Sequence, residues 1–509
     1  MHLAVTSEST AIILDKVEHN ELQVNGHVAW ATELNLNSNQ VRPLNPLSNT
    51  WCSTGSFLGN GTLVSSGGNE KGRMVSNPFV CSLPAPMETV IFFEDPDNIY
   101  LTSYRWYPSS VRLNDGSVLI FGGSTTGGYQ NSESKNNPTY EFFPSKNING
   151  YSGVQIPSQF LKDTLNGNLF PIMILLPDDN IFVAANQQAM LLNWQTNTER
   201  RLPNIPNGVR VSYPYTAGAA LLPLKPDNDY APEVLICGGS TVSDQADPSS
   251  LSSQAPPSDQ CSRMVLTEDG INAGWSVESM PQARIMPDLL LLPDGRILII
   301  NGARTGVAGY GNVGDQVGAS NADNPAFSPI LYDPDAEAGK RFSDTLAGVT
   351  SDIPRMYHST ATLTPNGDIL VAGSNPNEDV ETREYATEYR FEYFSPPYTS
   401  GSRPSYTGLP ALVDYNSNFT LSIQLPDGVT GVSVVLIDLG FATHCVHMDQ
   451  RLIYLKSSLS DDRKTLTITS PPSSTHYPPG PAYLYVVTNG GVPSSGHETL
   501  IGKGTSPPQ

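Results

Sequence analysis

A turn, a short apolar strand and a Gly-Gly pair recur along this chain, and that repetition constrains the fold more than any other feature. It reads Leu58-Gly59-Asn60-Gly61-Thr62-Leu63-Val64-Ser65-Ser66-Gly67-Gly68, and again Leu113-Asn114-Asp115-Gly116-Ser117-Val118-Leu119-Ile120-Phe121-Gly122-Gly123. Later copies drift: Leu176 to Val183, Val234 to Gly239, Pro293 to Ile300 and Pro365 to Gly373. The Asn-Gly and Asp-Gly pairs supply hairpin turns with positive φ, and the Val/Ile/Leu runs read as strands buried between neighbouring sheets. A spacing near about 50 residues, longer where loops are inserted, is the period of propeller blades of the kelch type. A degenerate unit, Thr10-Ala11-Ile12-Ile13-Leu14-Asp15-Lys16, brings the expected count to seven blades.

The pattern changes between Tyr398 and Pro404. Thr420 to Leu425 alternates as a strand with one buried face, and Val432 to Ile437 is continuously apolar, as a strand covered on both faces would be. These strands fit an immunoglobulin-like sandwich. The expected organisation is all-β: a seven-bladed kelch-type β-propeller over 1–400, its first blade incomplete at the N-terminus because Met1 begins inside it, then a C-terminal β-sandwich over 401–509. Thr443-His444 falls on a loop just after a strand of the second domain, placed to reach the propeller axis.

Charge and composition exclude several function classes. The chain has 49 acidic against 28 basic residues and a net charge of −21, which repels phosphate backbones and anionic bilayers. No nucleic-acid or membrane partner is expected, and no run of about 20 apolar residues is present. Met1 to Glu8 has neither a cationic stretch nor an apolar run, so it does not read as a secretion signal.

Five cysteines leave one over after pairing. Cys237 and Cys261 flank a Ser/Pro-rich loop from Ser240 to Gln260 and are the expected disulfide. Cys81 and Cys445 read as buried thiols, and Cys52 is the candidate for special chemistry. Sequons at Asn60 and Asn418 add weak support for secretion.

The chemistry-bearing phrases are Thr50-Trp51-Cys52, Arg105-Trp106-Tyr107-Pro108, Arg355-Met356-Tyr357-His358 and Thr443-His444. Imidazole nitrogen and phenolate oxygen suit Cu(II) in a tetragonal field, and only a closed tertiary structure could bring residues so far apart together. Singly, each reads as a hydrogen-bonded loop histidine, a packed tyrosine or a buried thiol. His447, three positions past His444, competes as a ligand.

Over nearly its whole length, through these phrases and through Pro206-Asn207-Gly208-Val209-Arg210-Val211 and Asp438-Leu439-Gly440-Phe441, the chain resembles the copper radical oxidases, and most closely their glyoxal oxidase branch. The resemblance implies one copper ion held by His358, His444 and Tyr107, with Tyr357 as the axial phenolate and one position left for substrate. It also implies a thioether between Cys52 and Tyr107 as the radical cofactor, with no organic cofactor added. Substrate would give its proton to Tyr357 and a hydrogen atom to Tyr107, and dioxygen would leave as hydrogen peroxide. Galactose oxidases carry a Trp after Gly-Gly-Ser to cover the thioether. Here Thr125 follows Gly122-Gly123-Ser124, which argues against a galactose pocket and leaves Trp106 and Tyr129 as candidate shields.

The implied function is oxidation of small aldehydes such as glyoxal, methylglyoxal and glycolaldehyde to carboxylic acids, the hydrated aldehyde supplying both the hydroxyl and the carbon-bound hydrogen. The implied protein is secreted, and its partners are aldehyde, dioxygen and peroxide-using enzymes. An alcohol oxidase with the same metal site is the alternative. A non-catalytic kelch binding module would have no reason to keep all five site residues.

Overall fold

The computed structural model describes residues 1–15, 19–46, 49–70, 73–74, 78–82, 91–94, 99–153 and 155–507, without side chains over 69–93 and at 344. Lys16 of the N-terminal unit and the Cys81 thiol therefore lie outside the described parts.

Among the described residues the fold is all-β, a propeller-like ring of six blades followed by a C-terminal sandwich. Five blades are four-stranded antiparallel meanders, which begin at Thr54–Phe57, Ser109–Arg112, Ile172–Leu175, Ala217–Leu221 and Asp288–Leu291. The sixth has three strands, Ser359–Leu363, Ile369–Gly373 and Phe391–Phe394. The N-terminal meander, beginning at His2–Ser7, sits beside the Ser359–Leu363 strand. Its sheet is six-stranded because it also takes in a hairpin from the second domain, Phe441–Thr443 and Val446–Met448.

Local chemistry explains the repeat. Gly116 turns its hairpin at φ +79°, and a Cβ there would fall 2.6 Å from the Gly59 Cα of the preceding blade. A Gly-Gly pair ends the second strand because the next blade's lead-in turn crosses directly over it: a Cβ on Gly67 would lie 2.4 Å from the Arg105 carbonyl oxygen, and one on Gly238 2.5 Å from that of Arg284. Arginine side chains hold two of these lead-in turns to their own blades. Arg105 donates to Gly122 O at 2.8 Å and pairs with Glu141. Arg355 donates to Gly373 O at 2.7 Å and pairs with Glu392. Arg105 and Arg355, conspicuous in the sequence phrases, thus tie their lead-in turns to the blades that follow them.

The sandwich is one eight-stranded sheet folded on itself. Arg451–Leu459 pairs with Val432–Asp438 through its first half and with Thr465–Thr469 through its second, and so carries the chain from one layer to the other. Asn418–Gln424 alternates buried and exposed positions in its second half, while Val434 to Asp438 is buried throughout, as their sequences require. The Phe441–Met448 hairpin leaves this domain and enters the ring, where it lies against the innermost strand of every blade. Arg112, fully buried, anchors its base: the guanidinium pairs with Asp438 and the backbone N–H donates to Asp449 Oδ1 at 2.7 Å. The hairpin that carries His444 is thereby tied to the strand that follows Tyr107.

Candidate metal centre

In five of the six blades a residue in the turn ahead of the innermost strand has left-handed backbone. Cys52 has φ +62°, Tyr107 +59°, Phe170 +47°, Met286 +58° and His358 +67°. His444, at the tip of the inserted hairpin, has φ +48°. Left-handed backbone at a non-glycine residue costs about 1–3 kcal/mol and persists where the surroundings enforce it, which is characteristic of functional positions.

Four of these side chains, Cys52, Tyr107, His358 and His444, converge with Tyr357. The Tyr107 and Tyr357 hydroxyls are hydrogen-bonded to each other. The His358 and His444 rings lie 5.1 Å apart at 90°, and His444 is 4.9 Å from the Tyr107 ring and 5.4 Å from that of Tyr357. Cys52 Sγ is 3.8 Å from His444 Nε2, and ligand atoms of Cys52, His358 and His444 all lie within 4.8 Å of one another. Every one of these side chains is buried.

Hydrogen bonds fix both imidazoles in the same tautomer. His358 Nδ1–H donates to the Asn375 carbonyl at 2.9 Å. Thr443 Oγ1 donates to Met1 O at 3.0 Å, so it accepts from His444 Nδ1–H at 2.7 Å. Both Nε2 lone pairs are left for the centre, and His358 Nε2 is a buried atom with no hydrogen-bond partner. Such an orphan in a buried site calls for an electrophile, and a metal ion satisfies it. Burial holds both histidines well below their ordinary pKa and both tyrosines well above theirs, so imidazoles and phenols are neutral until a cation enters. Two neutral imidazoles beside two ionisable phenols suit copper.

His447 turns away, its Nε2–H donating to Leu439 O at 2.6 Å. Of the two proposed shields, Trp106 stacks on Tyr107 with ring centroids 3.5 Å apart at 28°, whereas Tyr129 lies beyond Tyr213 at 6.4 Å. Cys237 and Cys261 form a disulfide, and Cys445 is a buried thiol.

The sequence phrases omitted four neighbours. Phe170 stacks on His444 at 4.5 Å. The Tyr213 ring lies 4.7 Å from that of Tyr107 and 5.8 Å from that of Tyr357. Half-buried Tyr310 lies 6.2 Å from Tyr357, and His2 is 6.5 Å from His444. Phe170 stands two residues ahead of an innermost strand, as Cys52 and Tyr107 do, so counting back from each strand in the repeat would have found it; Tyr213, four residues ahead of its strand, breaks that register.

A propeller whose axis gathers two imidazoles, two phenols and a thiol in a water-poor centre is built for oxidoreductase chemistry. The comparisons agree. Residues 14–398 match the family described as "Glyoxal oxidase N-terminus", and 403–501 match "Galactose oxidase-like, Early set domain". An aldehyde oxidase of Vitis pseudoreticulata, "Aldehyde oxidase GLOX", is 33% identical over 97% of this chain and 93% of its own. "Aldehyde oxidase GLOX1" of Arabidopsis thaliana is 33% identical over 92% of this chain and 74% of its own. A solved structure titled as a novel fungal alcohol oxidase of the AA5 family in complex with copper shares the fold, with a TM-score of 0.75 at 16% identity over 98% of this chain and 96% of that one. The chain belongs to the glyoxal oxidase family and is an oxidoreductase.

Proposed function

We propose that the protein is a copper radical oxidase that converts small aldehydes to carboxylic acids and dioxygen to hydrogen peroxide. The observation that carries this reading is the pair of Nε2 lone pairs, one of them on a buried and partnerless atom, aimed at two coupled phenols beside a thiol. His358 Nε2, His444 Nε2, Tyr107 Oη and Tyr357 Oη would hold the metal. Bound copper, with a Cys52–Tyr107 thioether, supplies two one-electron stores where the substrate must lose two electrons. The remaining work belongs to the chain: Tyr357 Oη holds the substrate's hydroxyl proton, and Trp106, Phe170 and Tyr213 keep water from Tyr107.

The hydrated form of glyoxal, methylglyoxal or glycolaldehyde is the substrate form proposed. The names of the plant relatives favour aldehydes, and Thr125 in place of a tryptophan disfavours sugar alcohols. Counting the N-terminal meander as a blade gives a seven-bladed ring, supported by its place beside Ser359–Leu363. The two family matches support domains of 1–400 and 401–509. The Cys237–Cys261 disulfide supports secretion, where peroxide-using enzymes would receive the product.

The test is oxygen-dependent peroxide release by copper-loaded protein over a panel of aldehydes and alcohols. Turnover with at least one of the three aldehydes, and little with galactose, is the expected outcome. Faster turnover of galactose or a simple primary alcohol than of every aldehyde would move the protein to the alcohol oxidases; no peroxide from any substrate would end the reading.

A further inference from the structure

We propose that the hydroxyl of Tyr213 determines specificity: it receives the second hydroxyl of a hydrated aldehyde, so that the site takes a carbon bearing two oxygens in preference to a simple alcohol. This deepens the copper radical reading above and rests on it.

The position of the ring is the first observation. Tyr213 lies 4.7 Å from the Tyr107 ring and 5.8 Å from the Tyr357 ring. Among the described residues one other ring packs on both phenols, that of His444, which the reading above assigns to the metal. Phe170 packs on Tyr107 but not on Tyr357, and Tyr310 on Tyr357 but not on Tyr107.

The second observation is where the oxygen points. Tyr213 Oη lies under the hairpin formed by Ala303–Tyr310 and Ser320–Pro325, and a Cβ on Gly309, at φ +106°, would fall 2.9 Å from it. Glycine thus leaves room for the hydroxyl. The backbone holds it there, since Tyr213 N–H donates to Leu169 O at 3.0 Å and Ala308 N–H to Pro214 O at 2.9 Å. Burial raises the pKa of Tyr213, and Tyr357 and Tyr107 counter part of that rise. The group is a neutral phenol, able both to donate and to accept, and it has no part in holding the metal.

The shape of the substrate completes the argument. A hydrated aldehyde carries four substituents on one tetrahedral carbon: the hydroxyl whose proton Tyr357 holds, the hydrogen directed at Tyr107, a second hydroxyl and the rest of the molecule. The second hydroxyl is one bond angle away from both reacting groups, so the side chain that meets it must border both phenols. Tyr213 does, and the rest of the molecule is left to face half-buried Tyr310. A primary alcohol has hydrogen in place of that hydroxyl and leaves the Tyr213 oxygen unpaired, the situation in which a site built to bond a hydroxyl discriminates most strongly.

The experiment compares two matched compounds, trifluoroacetone, which is a gem-diol in water, and trifluoroisopropanol, which has a single hydroxyl. The gem-diol has no hydrogen on the reacting carbon, so it binds without turning over. Each is titrated into copper-loaded protein whose radical has been quenched by a mild reductant, and binding is read from the visible absorption of Cu(II). Parent, Tyr213→Phe and Tyr129→Phe are compared after copper analysis and intact mass show equal metal and cross-link in each. We expect Tyr213→Phe to bind trifluoroacetone about tenfold more weakly with trifluoroisopropanol nearly unchanged, and Tyr129→Phe, whose ring lies beyond Tyr213, to match the parent. The KM for methylglyoxal should rise in the same proportion in Tyr213→Phe at little-changed kcat. An equal loss for both compounds in Tyr213→Phe, or no loss for either, overturns the assignment and leaves the oxidase reading standing. So does a parent that binds trifluoroacetone no more tightly than trifluoroisopropanol, without recourse to any variant. Peroxide release by the parent on the aldehyde panel decides the oxidase reading separately, and a copper-loaded parent that releases none overturns both.

Discussion

Replacing Thr443 with valine tests whether the hydroxyl behind His444 is what makes this histidine a ligand. Valine keeps the β-branched shape of a fully buried strand residue that pairs with His2. It removes the acceptor of His444 Nδ1–H at 2.7 Å and the donor to Met1 O at 3.0 Å. Leaving a buried donor unsatisfied costs about 1–3 kcal/mol. The ring can escape that cost by moving its proton to Nε2, which withdraws the lone pair from the centre. Either way the metal-binding tautomer is penalised, and loss of such a supporting partner weakens metal affinity by about 10–100-fold, equivalent to roughly 1.4–2.8 kcal/mol. Competition for copper against a chromophoric chelator measures this directly, with the melting temperature of the apoprotein recorded alongside. Thr443→Ser, which keeps the hydroxyl, should stay close to the parent. A folded Thr443→Val protein whose copper affinity lies within a factor of two of the parent would refute the tautomer argument.

Three further outcomes follow from the same structure. His447→Gln should keep one copper per chain by metal analysis, whereas His444→Gln should lose it, because only His444 faces the centre. Arg112→Leu strands the buried Asp438 carboxylate at the base of the inserted hairpin and should cost about 3–5 kcal/mol in denaturant unfolding, with Arg112→Leu/Asp438→Leu recovering part of the loss. Asp288 is buried, receives a hydrogen bond from Asn301 at 2.7 Å, and is pushed by burial up to about 7. Its folded value lies above the unfolded one near about 3.9, so the folded state holds the extra proton in between and stability falls as pH rises from about 4 to about 7, by up to roughly 4 kcal/mol. Asp288→Asn should therefore raise the urea midpoint at pH about 8 and leave it nearly unchanged at pH about 4.

The sequence by itself determined the elements that short-range chemistry dictates. Asp115-Gly116 and Asn60-Gly61 turn their hairpins wherever they stand, and the Gly-Gly pairs mark strand ends because only glycine admits the crossing backbone. The site phrases around Cys52, Tyr107, Tyr357, His358 and His444 were legible through their likeness to a known family, and Cys237 with Cys261 through the loop they flank. Other features were not legible, because they depend on contacts across hundreds of residues. Nothing near Trp106 in the chain says that its ring stacks on Tyr107, and His444 and His447 differ only in which one reaches the axis at the tip of the inserted hairpin. The Tyr213 ring packs against the phenol pair, and Met1 completes the chain of bonds that sets the His444 tautomer, only once the ring has assembled around that hairpin. A repeating sequence specifies each blade from within, but the axis belongs to no single blade, and the side chains that meet there are chosen by how the ring packs around the hairpin inserted into it.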